Sequence, residues 1–396
     1  MNMNEQMKES EESILHTYNR FPVVFEKGQG CYLYDSEGKE YLDFAAGIAV
    51  NSLGYHYPGY DEALKDQIDK LMHISNLYYN EPIIEAGAKL VNASKMSKAF
   101  FTNSGTEAIE GALKAAKKYA YVRDGHADHE IIAMNHSFHG RSIGALSVTG
   151  TAHYREPFEP LMGGVKFADF NNLESVKAQI TDKTCAIITE VVQGEGGIYP
   201  AKKEFLEGLR QICDEKDIML IFDEIQCGMG RTGHYFAWQA YGVQPDIMTS
   251  AKALGCGVPV GAFVLSEKAA KASLEPGDHG TTYGGNPFVC AAVSKVFDIY
   301  ENDKIIEHVQ EMTPYLEQKL DEIVAKHECA ATRRGMGFMQ GIVIQGRPVG
   351  EVVKAALAKG LLVISAGSDV LRIVPPLVIT KEHIDKMVAI LDECME

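Results

Sequence analysis

The stretch from residue 249 to residue 263, TSAKALGCGVPVGAF, holds one charged side chain, Lys252, among small and apolar residues. A lysine withdrawn from water has a lowered pKa, and its neutral amine is a nucleophile suited to Schiff-base chemistry. The alternative is a lysine that extends its charged end to solvent. The small residues on either side, Ala251, Ala253 and Gly255, make this alternative less favoured.

Two carboxylates in the middle of the chain are further candidates for the site, one at the end of an apolar segment and one in a glycine-rich segment. Asp223 ends the very apolar segment IMLIFD, and a carboxylate there is costly to bury without a partner. It either caps the next loop or holds a proton on a heterocyclic nitrogen. Glu195 lies in the glycine-rich segment TEVVQGEGG, where it is either presented by a sharp turn or is simply part of that turn.

The segment FFTNSGTEAIEGALK predicts a strand followed by a helix that begins near Ser104. Ser104 and Glu107 have the spacing of a capping box. The first N–H groups of a helix have no internal partners and carry the positive end of its dipole, so such a turn can hold a phosphate. From this stretch alone, a phosphate site that includes Gly105 and Thr106 and an ordinary capped helix are equally good interpretations.

An aromatic side chain and a cation follow the predicted strand at 130–134, in MNHSFHGRSIGALS. Phe138 could stack on a flat ring, and Arg141 could bind a carboxylate with two parallel hydrogen bonds. The alternative is a core phenylalanine and a surface arginine.

The elements that must position these residues are alternating helices and apolar strands, which begin at about residue 60. Strands that are apolar throughout are typical of a parallel sheet covered on both faces, so the pattern predicts an α/β domain. Ligands of such open sheets bind beyond the carboxyl ends of the strands. The two chain ends, with β-like segments and a final helix after Thr380, predict a smaller α+β domain. The expected boundaries are 1–58, 59–288 and 289–396.

Composition excludes several classes of function. The net charge of −16 leaves no basic surplus for a nucleic-acid partner. The polar N-terminus lacks the features of a signal peptide, and no apolar run has the length of a membrane span. The eight cysteines form no Cys-x-x-Cys pair and do not cluster with histidines at zinc-like spacing. We therefore expect free thiols in a cytoplasmic protein, with no metal site and no membrane partner.

The features after the strands together describe one cofactor. A phosphate, a protonatable ring nitrogen, a flat face and an aldehyde are the groups that these residues could hold. Pyridoxal phosphate carries all four, and it pairs a lysine Schiff base with an acidic partner for its ring nitrogen.

At these residues the sequence resembles the class III (ω-amino) aminotransferases, which have the fold-type I architecture of pyridoxal-phosphate enzymes. The resemblance covers essentially the whole chain. One position departs from the family pattern, since Tyr55 stands where a histidine is usual. The motifs that carry the resemblance occur in the family's order and are YLDFAAGIAVNSLGYHYPG, SNLYYNEP, NSGTEA, SFHGR, VVQGEGG, FDEIQCGMGRTG, SAKALGCGVPVGA and HGTTYGGNP.

The resemblance implies a role for each residue at the cofactor. Lys252 forms the Schiff base and then acts as general acid and base. Asp223 pairs with the ring nitrogen, Gln226 contacts the phenolic oxygen and Phe138 stacks on the ring. The phosphate is held by Ser104, Gly105 and Thr106, together with Thr282 of a second subunit, so the resemblance also implies a homodimer with shared active sites.

The resemblance also implies residues that bind substrate. Arg141 receives the α-carboxylate, and Thr281 lies near the acyl-amino group. Arg372, in VLRIVPP, receives a carboxylate of 2-oxoglutarate, and Glu195 masks that arginine while the ω-amino donor is bound.

The implied reaction moves the terminal amino group of N2-acetyl-L-ornithine to 2-oxoglutarate, a step of arginine biosynthesis. Ornithine, succinylornithine, 4-aminobutyrate and succinyl-diaminopimelate are alternative donors within the same family. A dinucleotide-binding dehydrogenase would need G-x-G-x-x-G between an early strand and helix, and the sequence has no such motif there. A catalytically silent binding protein on the same fold could easily lose Lys252 or Asp223, and both are present.

Overall fold

The computed structural model describes residues 2–396. Its strands are, in chain order, β1 (Phe25–Gln29), β2 (Tyr32–Asp35), β3 (Glu40–Asp43), β4 (Lys98–Thr102), β5 (Glu130–Met134), β6 (Val165–Ala168), β7 (Thr184–Glu190), β8 (Val192–Gln193), β9 (Tyr199–Pro200), β10 (Met219–Asp223), β11 (Ile247–Ser250), β12 (Gly261–Leu265), β13 (Ala330–Met336), β14 (Met339–Ile344), β15 (Leu361–Leu362), β16 (Ile364–Ala366) and β17 (Val370–Ile373).

The helices are, in chain order, α1 (Met3–Ser13), α2 (Ala46–Ala49), α3 (Tyr60–Lys70), α4 (Glu81–Ser94), α5 (Gly105–Asp124), α6 (Ile143–Ser147), α7 (Ala152–Arg155), α8 (Leu173–Gln179), α9 (Lys203–Lys216), α10 (Glu267–Ala272), α11 (Pro287–Asn302), α12 (Ile305–Lys326), α13 (Val349–Ala358) and α14 (Lys381–Met395). Short 3-10 turns cover Glu156–Phe158, Ala237–Ala240 and Lys252–Leu254.

The centre of the molecule is a seven-stranded sheet with the order β4-β12-β11-β10-β7-β5-β6. The five strands from β11 to β6 are parallel, and β12 runs antiparallel to both of its neighbours. Every residue of β7 and β10 is buried, as expected for strands covered on both faces. The predicted α/β fold with a mainly parallel central sheet is therefore confirmed.

The two ends of the chain meet in a second sheet. β1, β2 and β3 form an antiparallel ribbon, and β15 joins it by pairing in parallel with β3. A third sheet has the order β13-β14-β17-β16 and is antiparallel throughout. The domain boundaries expected from the sequence stay a prediction.

The helix that follows β4 shows how the site is positioned locally. Ser104 is its N-cap, and its hydroxyl accepts a hydrogen bond from the Glu107 N–H at 3.3 Å. The reciprocal half of the predicted capping box is not formed. The Glu107 carboxylate instead accepts the backbone N–H and the side-chain amide of Asn103, at 2.7 and 2.9 Å, because Asn103 offers it two donors.

Among the described residues, every helix is too short or too polar to span a bilayer.

Candidate active site

A cavity of about 510 Å³ opens at the carboxyl ends of the central strands. Its volume lies in the range of sites for small molecules. Eight residues predicted for the site line it together, although the chain between the first and the last of them runs through seven strands. They are Ser104, Gly105, Thr106, Phe138, Arg141, Asp223, Gln226 and Lys252. Glu195, Thr281, Thr282 and Arg372 lie outside this lining.

Lys252 is separated from the end of β11 by Ala251 alone and has a left-handed backbone conformation, with φ of 49°. That backbone conformation is uncommon for residues other than glycine and is found where the surrounding structure enforces it. Burial is the largest influence on the amine and lowers the pKa of Lys252. The Arg372 charge lowers it further, whereas Glu195 and Asp223 oppose that change. A neutral, nucleophilic amine is therefore favoured at this position.

The turn from β4 into α5 has the space that a phosphate requires. Ser104, Gly105 and Thr106 line the cavity at the N-terminus of this helix of 20 residues. A Cβ added at Gly105 would lie 2.9 Å from Cδ1 of Ile225, so a larger residue there would have to displace the Ile225 side chain. The Thr106 hydroxyl is 2.7 Å from the hydroxyl of Ser142. The cradle thus combines free helix N–H groups, a glycine and hydroxyls.

Asp223 has a buried partner that the sequence reasoning did not identify. His139 Nδ1 lies 2.7 Å from Asp223 Oδ2, and both side chains are almost fully buried. The other carboxylate oxygen accepts the Ile225 N–H at 3.0 Å and the Thr249 hydroxyl at 3.3 Å. Burial alone would lower the pKa of His139, but the hydrogen bond and charge of Asp223 raise it, with a contribution from Glu190.

Glu190 is the second buried residue that the sequence reasoning missed. Its carboxylate accepts the Gly194 N–H at 3.1 Å and the Phe138 N–H at 3.3 Å, so it ties two loops of the cavity together. Burial raises the pKa of Glu190 to about 7, although the His139 charge opposes the change. A signal was available, since Glu190 ends an apolar strand in the same way as Asp223.

Phe138 and Arg141 come from the loop after β5. The Arg141 guanidinium lies 5.4 Å from the centre of the Phe138 ring and 3.9 Å from that of Tyr154. Arg141 forms no ion pair with any residue between positions 2 and 396, so its charge is available to a ligand of the cavity.

Glu195 and Arg372 form a bidentate ion pair next to the cavity. The Nη1–Oε1 contact is the shorter one, and Nη2 lies 3.3 Å from Oε2. Arg372 also donates to Gln226 Oε1 at 3.1 Å, which connects the pair to the cavity lining. Burial would raise the pKa of Glu195, but the Arg372 charge and its hydrogen bonds hold it below the usual value.

The two threonines of HGTTYGGNP lie at different distances from the cavity. Thr281 Oγ1 accepts a hydrogen bond from the side-chain amide of Asn103 at 3.2 Å, and Asn103 lines the cavity. Thr282 is exposed on the surface and lies outside the lining.

Comparison with known families decides what kind of site this is. Residues 14–395 match the model of the family described as aminotransferase class-III. The chain belongs to the class-III aminotransferases. This class-III aminotransferase is 47% identical to the acetylornithine aminotransferase of Clostridium acetobutylicum, in an alignment that covers 98% of this chain and 100% of that one.

Two further matches are named for other amino donors. The succinylornithine transaminase of Yersinia pseudotuberculosis is 43% identical, over 96% of this chain and 94% of its own. The crystal structure of the ornithine aminotransferase of Toxoplasma gondii superposes with a TM-score of 0.95 at 28% identity, over 100% of this chain and 95% of that one. The fold and the enzyme class are thus shared across relatives with different donors.

Class-III aminotransferases use pyridoxal phosphate, and the cavity of this class-III aminotransferase fits that group. A glycine packed closely against Ile225 begins the helix at the phosphate cradle, and the half-buried Lys252 lies in the same cavity. Asp223 supplies a buried carboxylate whose geometry is set by three hydrogen bonds. These donors and acceptors match a phosphate, an aldehyde and a basic ring nitrogen, respectively.

Proposed function

We propose that this enzyme transfers the terminal amino group of N2-acetyl-L-ornithine to 2-oxoglutarate. The products are N-acetyl-L-glutamate 5-semialdehyde and L-glutamate. The observation that carries the proposal is the convergence of Lys252, Asp223 and the cradle at Gly105 on one cavity beside the Glu195–Arg372 pair. The acetylornithine aminotransferase that matches this chain over its whole length supports the choice of donor.

In this proposal, the start of α5 would hold the phosphate of the cofactor, and Phe138 would contact its ring. Bound pyridoxal phosphate supplies an aldehyde carbon that accepts an amino group and a ring that takes up an electron pair. The Asp223 carboxylate keeps a proton on the ring nitrogen, and His139 fixes the orientation of that carboxylate. Gln226 is the residue that contacts the phenolic oxygen.

Lys252 has two tasks in the proposed reaction. Its neutral amine would hold the cofactor aldehyde until a donor binds and frees the amine. The freed amine then takes the proton from the donor carbon next to nitrogen and returns a proton to the cofactor side. The lowered pKa of Lys252 favours the neutral form that this requires.

The substrate-binding residues must accept two different molecules in turn. The donor has a neutral acylated end, whereas 2-oxoglutarate has two carboxylates. We propose that Arg141 binds the α-carboxylate and that Thr281 lies near the acyl-amino group of the donor. While the donor is bound, Glu195 neutralises Arg372; when 2-oxoglutarate binds, its carboxylate replaces Glu195 on Arg372.

We also propose a homodimer with shared active sites. Large apolar side chains are exposed close to the segment of Thr282, among them Leu77, Tyr79 and Tyr283, which are 86%, 96% and 62% exposed. Such side chains are typical of a surface that another chain covers. In this arrangement, Thr282 of one subunit completes the phosphate site of the other.

Subunit mixing tests the shared site. Lys252→Ala and Thr282→Ala homodimers should each have reduced activity. In a mixed dimer, one site combines an intact Lys252 with an intact Thr282, so mixing after mild dissociation should restore activity. Mixed dimers that form without any recovery would show that Thr282 does not act across the interface.

A donor panel with 2-oxoglutarate as the acceptor tests the substrate. We expect the largest kcat/KM with N2-acetyl-L-ornithine, compared with ornithine, N2-succinylornithine, 4-aminobutyrate and succinyl-diaminopimelate. Single-turnover spectra of the cofactor with each donor separate donor binding and amino transfer from product release. A tenfold preference for a different donor, by about 1.4 kcal/mol, would replace acetylornithine in the proposal.

A further inference from the structure

One row of residues crosses the sheet β13-β14-β17 beside the Glu195 loop. Arg334 of β13 pairs with Gly341 of β14, and Gly341 pairs with Arg372 of β17. Directly paired residues of antiparallel strands present their side chains on the same face. Because neighbouring strands are about 4.8 Å apart, the two arginines start about 10 Å from each other on one face, with a glycine between them.

The loop from Gly194 to Tyr199 lies on this row. Arg372 binds the Glu195 carboxylate. Ile198, which is fully buried, lies over Gly341, because a Cβ built at Gly341 would be 3.1 Å from Cβ of Ile198. Arg334 Nε donates to the Gly197 carbonyl at 2.6 Å. Each member of the row therefore contacts a different part of the loop.

Arg334 has no carboxylate partner among the described residues, although it lies near a carboxylate-binding site. Its guanidinium stacks on the Tyr199 ring at 3.5 Å and binds the loop backbone instead. The neighbouring Arg333 lies on the opposite face and pairs with Asp321 at 2.7 Å. The two arginines of β13 thus have different partners because their side chains lie on opposite faces of the sheet.

The loop is also fixed at its other side. The Gly367 N–H donates to the Glu195 carbonyl at 2.8 Å, and Glu190 accepts the Gly194 N–H at 3.1 Å. The Glu195 side chain itself is held by Arg372 and Gln226, both of which a substrate could contact. The backbone of the loop therefore has more fixed partners than the carboxylate that it carries.

We propose that Arg334 and Gly341 are positioning residues for substrate selection. They hold the Gly194–Tyr199 loop on the sheet, so that the Glu195 side chain moves off Arg372 while the loop backbone stays in place. This inference rests on the proposed exchange between Glu195 and the second carboxylate of 2-oxoglutarate.

The consequence is a difference between the two substrates. A fixed loop returns Glu195 to Arg372 and so favours the neutral end of the donor. A loosened loop leaves Arg372 unmasked, which disfavours the donor and leaves binding of the dicarboxylate acceptor equal or stronger. Arg334 does not contact either substrate in this arrangement, and its effect is transmitted through the loop backbone.

The test is Arg334→Met in the holoenzyme, with Arg333→Met as the matched control on the same strand. We expect Arg334→Met to raise the donor KM by about tenfold relative to the 2-oxoglutarate KM, which corresponds to one lost hydrogen bond to a charged group. The affinity for pyridoxal phosphate should be unchanged, and amide hydrogen exchange within residues 194–199 should be faster. Arg333→Met should leave the KM ratio at the wild-type value.

Two further variants keep the proposal testable if Arg334→Met folds poorly. Gly341→Ala places a methyl group 2.7 Å from Cγ1 of Val370 and 3.1 Å from Cβ of Ile198, so it should disturb the seat of the loop and shift the KM ratio in the same direction. Arg334→Lys keeps a cation within reach of the Gly197 carbonyl and should recover part of the effect. An equal rise in both KM values, or the same shift in Arg333→Met, would overturn the proposal.

Glu195→Gln separates this inference from the function on which it rests. If Glu195→Gln does not change the KM ratio, the proposed masking of Arg372 is wrong. If Glu195→Gln changes the ratio and both Arg334→Met and Gly341→Ala do not, the masking stands and the role assigned to Arg334 and Gly341 is wrong.

Discussion

His139 Nδ1 lies 2.7 Å from Asp223 Oδ2, and neither side chain is accessible to solvent to any useful extent. A buried carboxylate needs a partner, and here the partner is a histidine whose pKa is raised by that same carboxylate. The pair orients Asp223 toward the cavity that also contains Lys252. The acid at the site is therefore held by a residue from the neighbouring loop after β5.

Replacing Asp223 tests the role of this carboxylate. Asp223→Ala should lower kcat by about a hundredfold or more, because the ring nitrogen loses the anion that keeps it protonated. Rapid-quench measurement of the half-reaction with donor reports the loss. His139→Asn should have a smaller effect on kcat, since it removes the orientation and leaves the carboxylate. A fully active Asp223→Ala enzyme is incompatible with the assigned role.

Replacing Lys252 tests the Schiff base. Lys252→Ala should abolish the visible absorbance that pyridoxal phosphate gives when bound to the wild-type protein, and it should abolish turnover. Lys271→Ala is the matched control, because Lys271 is an exposed lysine of α10 paired with Glu267. Wild-type protein that stays colourless after addition of pyridoxal phosphate would contradict the assignment.

Replacing Glu195 tests the selection between substrates. Glu195→Gln leaves the Arg372 charge without its counter-ion, so the KM of the neutral-ended donor should rise by about tenfold. The dissociation constant of pyridoxal phosphate, measured by equilibrium dialysis, should remain within twofold of wild type, about 0.4 kcal/mol. An unchanged preference between donors would mean that the pair does not select.

Glu190 should make the folding stability depend on pH. Burial raises its pKa to about 7, whereas an unfolded glutamate has its usual value of 4.5. The unfolded chain thus releases this proton at lower pH than the folded chain does. The contribution of Glu190 to the free energy of unfolding is therefore greatest below pH 4.5, falls as the pH rises toward about 7, and is constant above that.

Urea unfolding at a series of pH values measures this dependence. Glu224, whose pKa burial also raises to about 7, adds to the same fall in the wild-type protein. The share of Glu190 between pH 4.5 and pH 7 should amount to about 3 kcal/mol. Glu190→Gln should remove most of it, while Glu174→Gln, at an exposed position of α8, should not. Parallel curves for the wild type and Glu190→Gln would show that this carboxyl titrates normally.

Much of the architecture follows from local sequence pattern. The segments that became β7 and β10 predict buried parallel strands because apolar residues occupy both of their faces, with a carboxylate at the last position of each. Ser104 predicts the start of α5 because its hydroxyl can accept an N–H group of the first turn. The residues that follow such strands are site candidates, since parallel strands end at one edge of the sheet.

The contacts of the site depended on the folded chain. His139 and Glu190 belong to motifs that were recognised in the sequence, but their partners Asp223 and Phe138 are 84 and 52 residues away in the chain, and no local pattern indicates that distance. The hydrogen-bond partner of the Glu107 carboxylate also differed from the prediction, although it is close in the chain. The Glu107 carboxylate accepts hydrogen bonds from Asn103 and not from the backbone N–H of Ser104, and this difference depends on side-chain geometry.

The sequence by itself determined the strand and helix order, the family resemblance and the reactive side chains, because these depend on residue type and on spacing within one segment. The family resemblance implied that Glu195 meets Arg372, and the folded chain brings the two together across 177 positions. The tertiary structure alone decided that Arg334 and Gly341 share a row with Arg372. The physical reason is register. A shift of one residue in β13 or β17 relative to β14 would move the arginine of the shifted strand to the other face.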